Sequence, residues 1–317
     1  MKVERIKAIS LDKKTAQKYA EEIAFQQIGQ PIKKVKYLGG GSFGRAYKVT
    51  FEDNKKIVVK FLRARDMLEK EIFDLDLLAA NCSVKIPRVL FSRKADDEIP
   101  VDCYGMELIE GSNAVFSIAL LLRSKRKRKQ FADEVTTALH NIHCCKNEKF
   151  GDTISPTYSR WLNFYRPYAE QILIKAEEMF SKGELPKKVI QTMRAAWEKF
   201  DIIFSEEVAE ACLIHGDLNI ANIMIDKNHK LSGFIDPLNS MYADREYDLF
   251  QFDNLSGKWF YLRETYVNKY GASEFCDAKC AFYGLYHEVY SYIKSGMLVN
   301  FIMNPLVKNM KKRLAEL

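Results

Sequence analysis

The stretch "CLIHGDLNIANIMID", residues 212–226, decides how the chain is read. Two short apolar runs, Cys212 to Ile214 and Ile223 to Ile225, have the length and composition of buried strands. The polar segment between them holds His215, Gly216, Asp217 and, five residues beyond the aspartate, Asn222. A loop held by a strand at each end can keep a carboxylate and an amide at a fixed separation. Such a carboxylate can orient a hydroxyl and take its proton, and an amide oxygen suits a hard cation such as Mg²⁺. Another oxygen ligand follows in "KLSGFID", a further strand-like run that ends at Asp236. Singly, each of these residues also reads as a turn or cap residue. Their order in the chain, taken with what precedes them, favours the chemical reading.

What precedes them is "VKYLGGGSFGRAYKVTFEDNKKIVVKFL", residues 35–62, a pattern of strand, Gly-rich turn, strand, polar turn, strand. Gly39-x-Gly41-x-x-Gly44 is weak evidence alone. A dinucleotide fingerprint needs a helix directly after the glycines. Here "RAYKVTF" alternates as a strand, which suits a flap whose backbone N–H groups lie over phosphates; a plain hairpin is the competing reading. No G-x-x-x-x-G-K-[ST] motif occurs. Lys60 stands in the apolar strand "IVVKF", where an ammonium is costly to bury unpaired. The next helix, residues 66–80 with Asp66 as a candidate N-cap, offers Glu69 and Glu71 as partners. Position along the helix favours Glu71. A lysine reaching to solvent is the alternative.

A chain of 317 residues can form two lobes with separate cores. With 47% hydrophobic and 29% charged residues, the composition is that of a soluble globular protein, and the net charge of +7 does not imply nucleic acid. The longest apolar run, "VFSIALLL" at 115–122, is too short to span a membrane. "MKVERIKAISLDKK" lacks the apolar core of a secretory signal. Seven cysteines without zinc-type spacing read as reduced thiols, so a cytoplasmic protein is expected, with no nucleic-acid or membrane partner.

The spacing of apolar residues predicts a helix over 11–28, then a small antiparallel sheet with one helix over 31–109. After Gly111 the pattern predicts helices at 114–122, 126–143, 158–181 and 186–206, and again from 247 onward. The fold class is therefore α+β and bilobal: an N-lobe over 1–106, a hinge at 107–111 and a mostly helical C-lobe over 112–317. "RSKRKRK" at 123–129 reads as a solvated helix start or loop. The aromatic "FYGLYHEVYSYIK", with His287 inside it, reads as core packing.

With these residues in place, the chain resembles the aminoglycoside phosphotransferase and choline kinase superfamily, small-molecule relatives of the protein kinases. The resemblance rests on "HGDLNIAN" (215–222), "FIDP" (234–237), "DREYDL" (244–249), the flap, Lys60, Glu71, "IPRVL" (86–90) and "LHNIH" (139–143). The "IDP…DREYDL" segment is closer to fructosamine and streptomycin-type kinases, and the flap to aminoglycoside kinases. The resemblance implies a protein-kinase-like fold with ATP, or GTP, between the lobes. Gly39, Gly41, Ser42, Gly44, Lys60 and Glu71 would hold its phosphates. Its adenine would meet the backbone of Glu107 and Ile109, with Met106 behind. Asp217 would be the catalytic base, Asn222 and Asp236 the Mg²⁺ ligands, Asp248 a brace for the loop, and His215 a brace and not a catalyst. Two departures are visible: Ala46 stands where a valine is expected, and Pro237 follows the metal aspartate where protein kinases have Phe-Gly.

"DREYDL" begins eight residues after Asp236, which leaves no room for the long activation segment of a protein kinase. The acceptor is therefore expected to be a small molecule. Between Asp236 and Glu288 there are nine acidic and five basic residues, an excess that would favour a cationic acceptor if it lined the site; a solvated surface is the plainer reading. An aminoglycoside-like compound is the first expectation, with a ketosamine, choline or sugar as alternatives. A regulatory nucleotide-binding module without catalysis is the rival from another class.

Overall fold

The computed structural model describes residues 3–317. Helix α1 (Lys13–Ile28) starts where Asp12 accepts the N–H groups of Lys14 and Thr15, and stops at Gly29 in the left-handed conformation. Its Ala16, Ala20, Ile23 and Ala24 pack against a five-stranded sheet. The strands are β1 (Ile32–Gly39), β2 (Gly44–Phe51), β3 (Lys56–Leu62), β4 (Val89–Arg93) and β5 (Asp102–Glu107), in the order β1-β2-β3-β5-β4 and all antiparallel. One face carries Tyr47, Val49, Phe51, Val59 and Phe61 into a small core with α1. Helix α2 (Leu68–Asn81) joins the larger C-lobe core through Leu75 and Leu78.

The expected cap at Asp66 is not formed. Asp66 has φ +61°, the left-handed region, whereas a side-chain N-cap needs extended backbone; Met67 takes the cap position with no side-chain bond.

Beyond Glu107 the chain enters the C-lobe through β6 (Ser112–Asn113), which pairs with β10 (Ile223–Ile225), itself paired with β11 (Leu231–Phe234). The helix expected over 114–122 is broken. A 3₁₀ turn at Ala114–Phe116 precedes the short α3 (Ile118–Leu121), because Ser117 caps the Leu120 N–H and restarts the spiral. Helix α4 (Lys125–His143) follows, its first turn formed by the basic run. That run is tied to its own chain: Arg123 donates to Asn228 O, Arg128 to Trp259 O, and Lys129 pairs with Glu264.

Strands β7 (Lys146–Asn147) and β8 (Gly151–Asp152) flank a second small sheet with β9 (Ala211–Ile214) and β12 (Met241–Ala243). Between them lie α5 (Trp161–Ser181), α6 (Lys187–Glu198) and α7 (Phe200–Ile203). The helix expected over 186–206 breaks at Lys199, and that over 158–181 begins three residues later than expected. After α8 (Glu246–Leu249) come α9 (Leu262–Tyr270), α10 (Cys276–Ser295) and α11 (Asn300–Leu314). Phe282 and Tyr283 of α10 are fully buried against Tyr165, Phe200 and Phe204, and the buried Tyr286 stacks on Phe282, as the aromatic pattern predicts. Among the described residues no helix is long and apolar enough to cross a membrane, and all seven cysteines are free thiols. The architecture is the α+β, bilobal, kinase-like one read from the sequence.

The lobes are also joined by a segment that carries no sequence signal. Val3 packs into the C-lobe core, the Ile6 N–H donates to Lys294 O at 3.0 Å, and Ile9 exchanges bonds with Arg63 at the end of β3.

Candidate active site

The alternation in β3 puts Val59 and Phe61 in the core with α1 and turns Lys60 the other way, toward α2. Its Nζ lies 2.9 Å from Glu71 Oε2 and 2.8 Å from Asp236 Oδ1. Glu69 is on the outer face of α2, where it pairs with Lys94. Burial disfavours the Lys60 charge, but Asp236, Tyr104 and Glu71 outweigh it and hold the pKa well above the usual lysine value. Lys60 in turn keeps the Asp236 carboxyl below its ordinary range, so both are ionised. Tyr104, opposite Lys60 on β5, was not singled out from the sequence. Its O–H donates to the same Glu71 Oε2 at 2.8 Å.

The flap closes over this group. The geometry requires glycine at Gly39, with φ +149°, and also at Gly40, absent from the sequence reading, where φ is +145° and a Cβ would lie 2.4 Å from Gly44 O. At Gly41 a Cβ would meet open space. The Arg45 guanidinium holds the loop from within, donating to the carbonyls of Gly40, Gly41 and Gly44. A cavity of about 280 Å³ lies beneath, lined by the flap from Gly40 to Gly44, by Lys60, Glu71 and Asp236, and by the C-terminal half of α10.

The loop between β9 and β10 is fixed from both sides. Asp248, fully buried, accepts the His215 and Gly216 N–H groups at 2.8 Å each and faces His143 Nε2 at 3.2 Å. Gly216, with φ +81°, leaves space for Leu238 O, which a Cβ would meet at 2.4 Å. Asp217 accepts from Asn219 Nδ2 at 2.9 Å and from Asn222 Nδ2 at 3.2 Å. Burial, and then the charge of Asp236, push the Asp217 pKa up to about 8, while the two asparagines pull against this. Burial drops His215 to about 4, so it is neutral near pH 7. Asn222 spends its amide N–H groups on Asp217 and takes the Ile235 N–H on its backbone oxygen at 3.0 Å, which seats it beside Asp236. Its side-chain oxygen remains for a cation. Among the described residues no cluster of three His, Cys, Asp or Glu forms a metal cage. An amide and a carboxylate that share a cation with phosphate oxygens suit Mg²⁺, which keeps few protein ligands.

The expected hinge residues are less open. The Glu107 N–H is taken by Arg88 O at 2.9 Å, and the buried Ile109 packs on Gly233, where a Cβ would lie 2.8 Å from Ile109 Cδ1. Met106, Glu107 and Ile109 do not line the cavity beneath the flap, and neither does Asp217. The acidic residues of 236–288 do not gather as a lip on this cavity either, in keeping with the plainer reading that they do not line the site. Asp244 and Glu246 pair with the buried Lys279, Asp253 and Asp277 with Arg263, and Glu264 with Lys129; of that span, Asp236 and Glu288 face the cavity.

Comparison with known proteins agrees with this geometry. No curated protein is matched by the sequence. Among solved structures, a protein of Thermobifida fusca classed as a fructosamine-3-kinase is 20% identical with a TM-score of 0.67, covering 93% of this chain and 98% of its own. The GDP complex of aminoglycoside 2'-phosphotransferase-IIIa is 16% identical with a TM-score of 0.70, over 95% and 99%. The streptomycin–ATP ternary complex of APH(2")-IIa is 16% identical with a TM-score of 0.63, over 96% and 99%. These likenesses establish a common fold. The model of one family, described as the phosphotransferase enzyme family, matches residues 34–283, most of the chain and the site from the flap to Asp248, and the chain belongs to that family.

Proposed function

We propose that the chain is an ATP- and Mg²⁺-dependent kinase that phosphorylates a hydroxyl of a small molecule. The observation that carries this reading is the meeting of Lys60, Glu71 and Asp236 under a glycine flap, beside a braced loop that presents Asp217 and Asn222. Nucleotides in the similar structures, GDP in one and ATP in another, support a nucleotide in this cleft.

Lys60 positions the α- and β-phosphates, and Glu71 and Tyr104 hold Lys60. Asn222 and Asp236 would hold Mg²⁺, which when bound neutralises phosphate charge. Asp217 orients the acceptor hydroxyl and takes its proton, a role worth about 10²–10⁴-fold. Asp248 keeps the loop in place by accepting two of its backbone N–H groups, and His143 holds the Asp248 carboxylate from the other side.

The acceptor is drawn from aminoglycoside-like compounds, ketosamines, choline and sugars. The test is transfer of labelled γ-phosphate from ATP across that panel with Mg²⁺ present. Phosphorylation of at least one hydroxyl compound is expected. Nucleotide binding without hydrolysis or transfer would favour the regulatory module.

A further inference from the structure

The most exposed large apolar side chains among the described residues are Leu122, Phe116, Phe301 and Ile118. Three of them fall within residues 116–122: Leu122 at 79%, Phe116 at 77% and Ile118 at 71% exposed, with the exposed Leu121 beside them. They stand on the 3₁₀ turn Ala114–Phe116, on α3 and just after it, where Ala114 and Leu120 are the residues turned into the core. The segment is firmly held. Ser117 caps the Leu120 N–H, its hydroxyl lies 3.0 Å from His229 Nδ1, and Arg123 donates to the carbonyls of Asn228 and His229. The apolar side chains are thus presented to solvent by a fixed backbone.

The surroundings of this patch are basic. Helix α4 begins just after Leu122 with Lys125, Arg126 and Lys127, all exposed. Of the six cations at 123–129, Lys129 pairs with Glu264, and the other five have no ion-pair partner among the described residues. Arg123 and Arg128 donate to carbonyl oxygens, which are uncharged acceptors, so both keep their full charge. On one side the turn over 226–230 adds the exposed Lys227 and Lys230, while its acid, Asp226, accepts the N–H groups of Asn228 and Lys230. On the other side the 3₁₀ turn Gly257–Phe260 adds Lys258 and Trp259, the latter 58% exposed and fixed by the bond from Arg128 to its carbonyl at 3.0 Å. Tyr261 continues that turn against α4, with Lys125 Nζ 5.6 Å from its ring.

Clustered exposed apolar residues mark an interaction surface, and the cations around them set the sign of what it meets. A nucleic acid would satisfy the cations and leave Phe116, Ile118, Leu121 and Leu122 against water. An anionic bilayer satisfies both sets at once. Its phosphates meet Lys and Arg, its hydrocarbon begins a few ångströms deeper, and tryptophan favours the boundary between them. We propose that this face seats the protein on an anionic lipid surface, with Phe116, Ile118, Leu122 and Trp259 at the boundary of headgroups and acyl chains and Lys125, Arg126 and Lys127 on lipid phosphates. The protein lies on such a bilayer without crossing it, in keeping with the lack of a spanning helix among the described residues. A membrane partner, not expected from the sequence, is thereby assigned to the basic run. The assignment goes beyond the kinase reading and does not rest on it, since none of these residues belongs to the transfer machinery.

The test is sedimentation of the full chain with large unilamellar vesicles, of phosphatidylcholine alone or of equimolar phosphatidylcholine and phosphatidylglycerol, at about 0.1 M salt. Binding to the anionic vesicles is expected to exceed binding to the neutral ones by about tenfold or more and to weaken as salt rises. Lys125→Gln, Arg126→Gln and Lys127→Gln together lower it by about 100-fold, at about fivefold for each cation near the surface. Phe116→Ser with Leu122→Ser lowers it by about tenfold or more and leaves the salt dependence in place. A measurement on the wild type needs no core change: Trp259 is the most exposed of the three tryptophans, and brominated acyl chains quench it. That quenching disappears in Trp259→Phe. Lack of binding to the anionic vesicles overturns the proposal, as does binding that survives the triple substitution. Binding without quenching, or binding indifferent to Phe116→Ser with Leu122→Ser, would leave charge alone as the cause and also overturns it. Tighter binding to a single-stranded oligonucleotide or to polyglutamate than to the vesicles would give the patch to a nucleic acid or an acidic protein instead.

Discussion

Lys60 Nζ and Asp236 Oδ1 lie 2.8 Å apart although 176 residues separate them. One belongs to the N-lobe sheet and the other to the C-lobe segment after β11, so the contact joins the lobes at the point where phosphates are expected. On the proposed reading both groups would also be used by a metal–nucleotide complex. Asp236→Ala removes a cation ligand and the partner of a buried lysine together. MgATP is therefore expected to raise the melting temperature of the wild type and to have no effect on the variant. A thermal shift of equal size in both would place the metal elsewhere.

Tyr104 and Lys60 meet on a single oxygen of Glu71. Tyr104→Phe keeps the ring and deletes one hydrogen bond to a charged group, worth about 1.5–3 kcal/mol. The expected outcome is a fall of about tenfold or more in kcat/KM for ATP, measured at saturating acceptor. An unchanged value would make the hydroxyl incidental.

Lys70, next to Glu71, ties α2 to the C-lobe. Its ammonium contacts Asp74 at 2.6 Å, Thr153 Oγ1 at 2.7 Å and the Ser240 carbonyl at 2.8 Å. Asp74 is 3% exposed, so Lys70→Met leaves a buried carboxylate without its cation. A loss of about 3–5 kcal/mol in unfolding free energy is expected, the usual range when one partner of a buried pair is removed. Asp74→Leu in the same chain should restore part of it. Additive losses in the double variant would show that the pair is not coupled.

His287 is held neutral by burial, with Tyr247 Oη 3.0 Å from its Nδ1. Burial, and then the charge of Lys294, lower its pKa from an ordinary 6.5 to about 4. The folded imidazole thus binds fewer protons than the unfolded one between those values. The stability it contributes is fully present above 6.5 and is lost as pH falls toward 4. His215, lowered likewise to about 4, acts in the same direction. Denaturant titrations at about pH 7 and pH 5 should show a smaller loss for His287→Asn than for the wild type, even if the variant starts lower. Equal losses would mean that His287 is already charged in the folded state.

The fold was legible where period and spacing were strong. The alternation of "IVVKF", the glycine turn and the two apolar runs around Asp217 all occupy the elements they predict, and the pairing of Lys60 with Glu71 over Glu69 follows from the helix face. Residues that act through a hydroxyl or a backbone bond gave no such signal. Tyr104 looks like any strand tyrosine until its partner is known. Gly40 was hidden because G-x-G-x-x-G counts positions, whereas the loop is closed by the φ of Gly40 and the three carbonyl contacts of Arg45. The acidic residues of 236–288 do not line the site for a physical reason: charge counted along a sequence says nothing of pairing, and Asp244, Glu246, Asp253, Asp277 and Glu264 are held in ion pairs with Lys279, Arg263 and Lys129. The segment from Val3 to Ile9 bridges the lobes mainly with backbone bonds, which a sequence pattern does not display.

The central claim is that Asp217 acts on the acceptor and not on the nucleotide. It is tested most directly by single-turnover phosphoryl transfer from MgATP, wild type against Asp217→Asn, with the affinity for MgATP measured by calorimetry on the same samples. The account expects transfer to fall by about 10²–10⁴-fold with MgATP affinity changed by no more than about twofold. Transfer at the wild-type rate, or a loss explained by weakened MgATP binding, would contradict it.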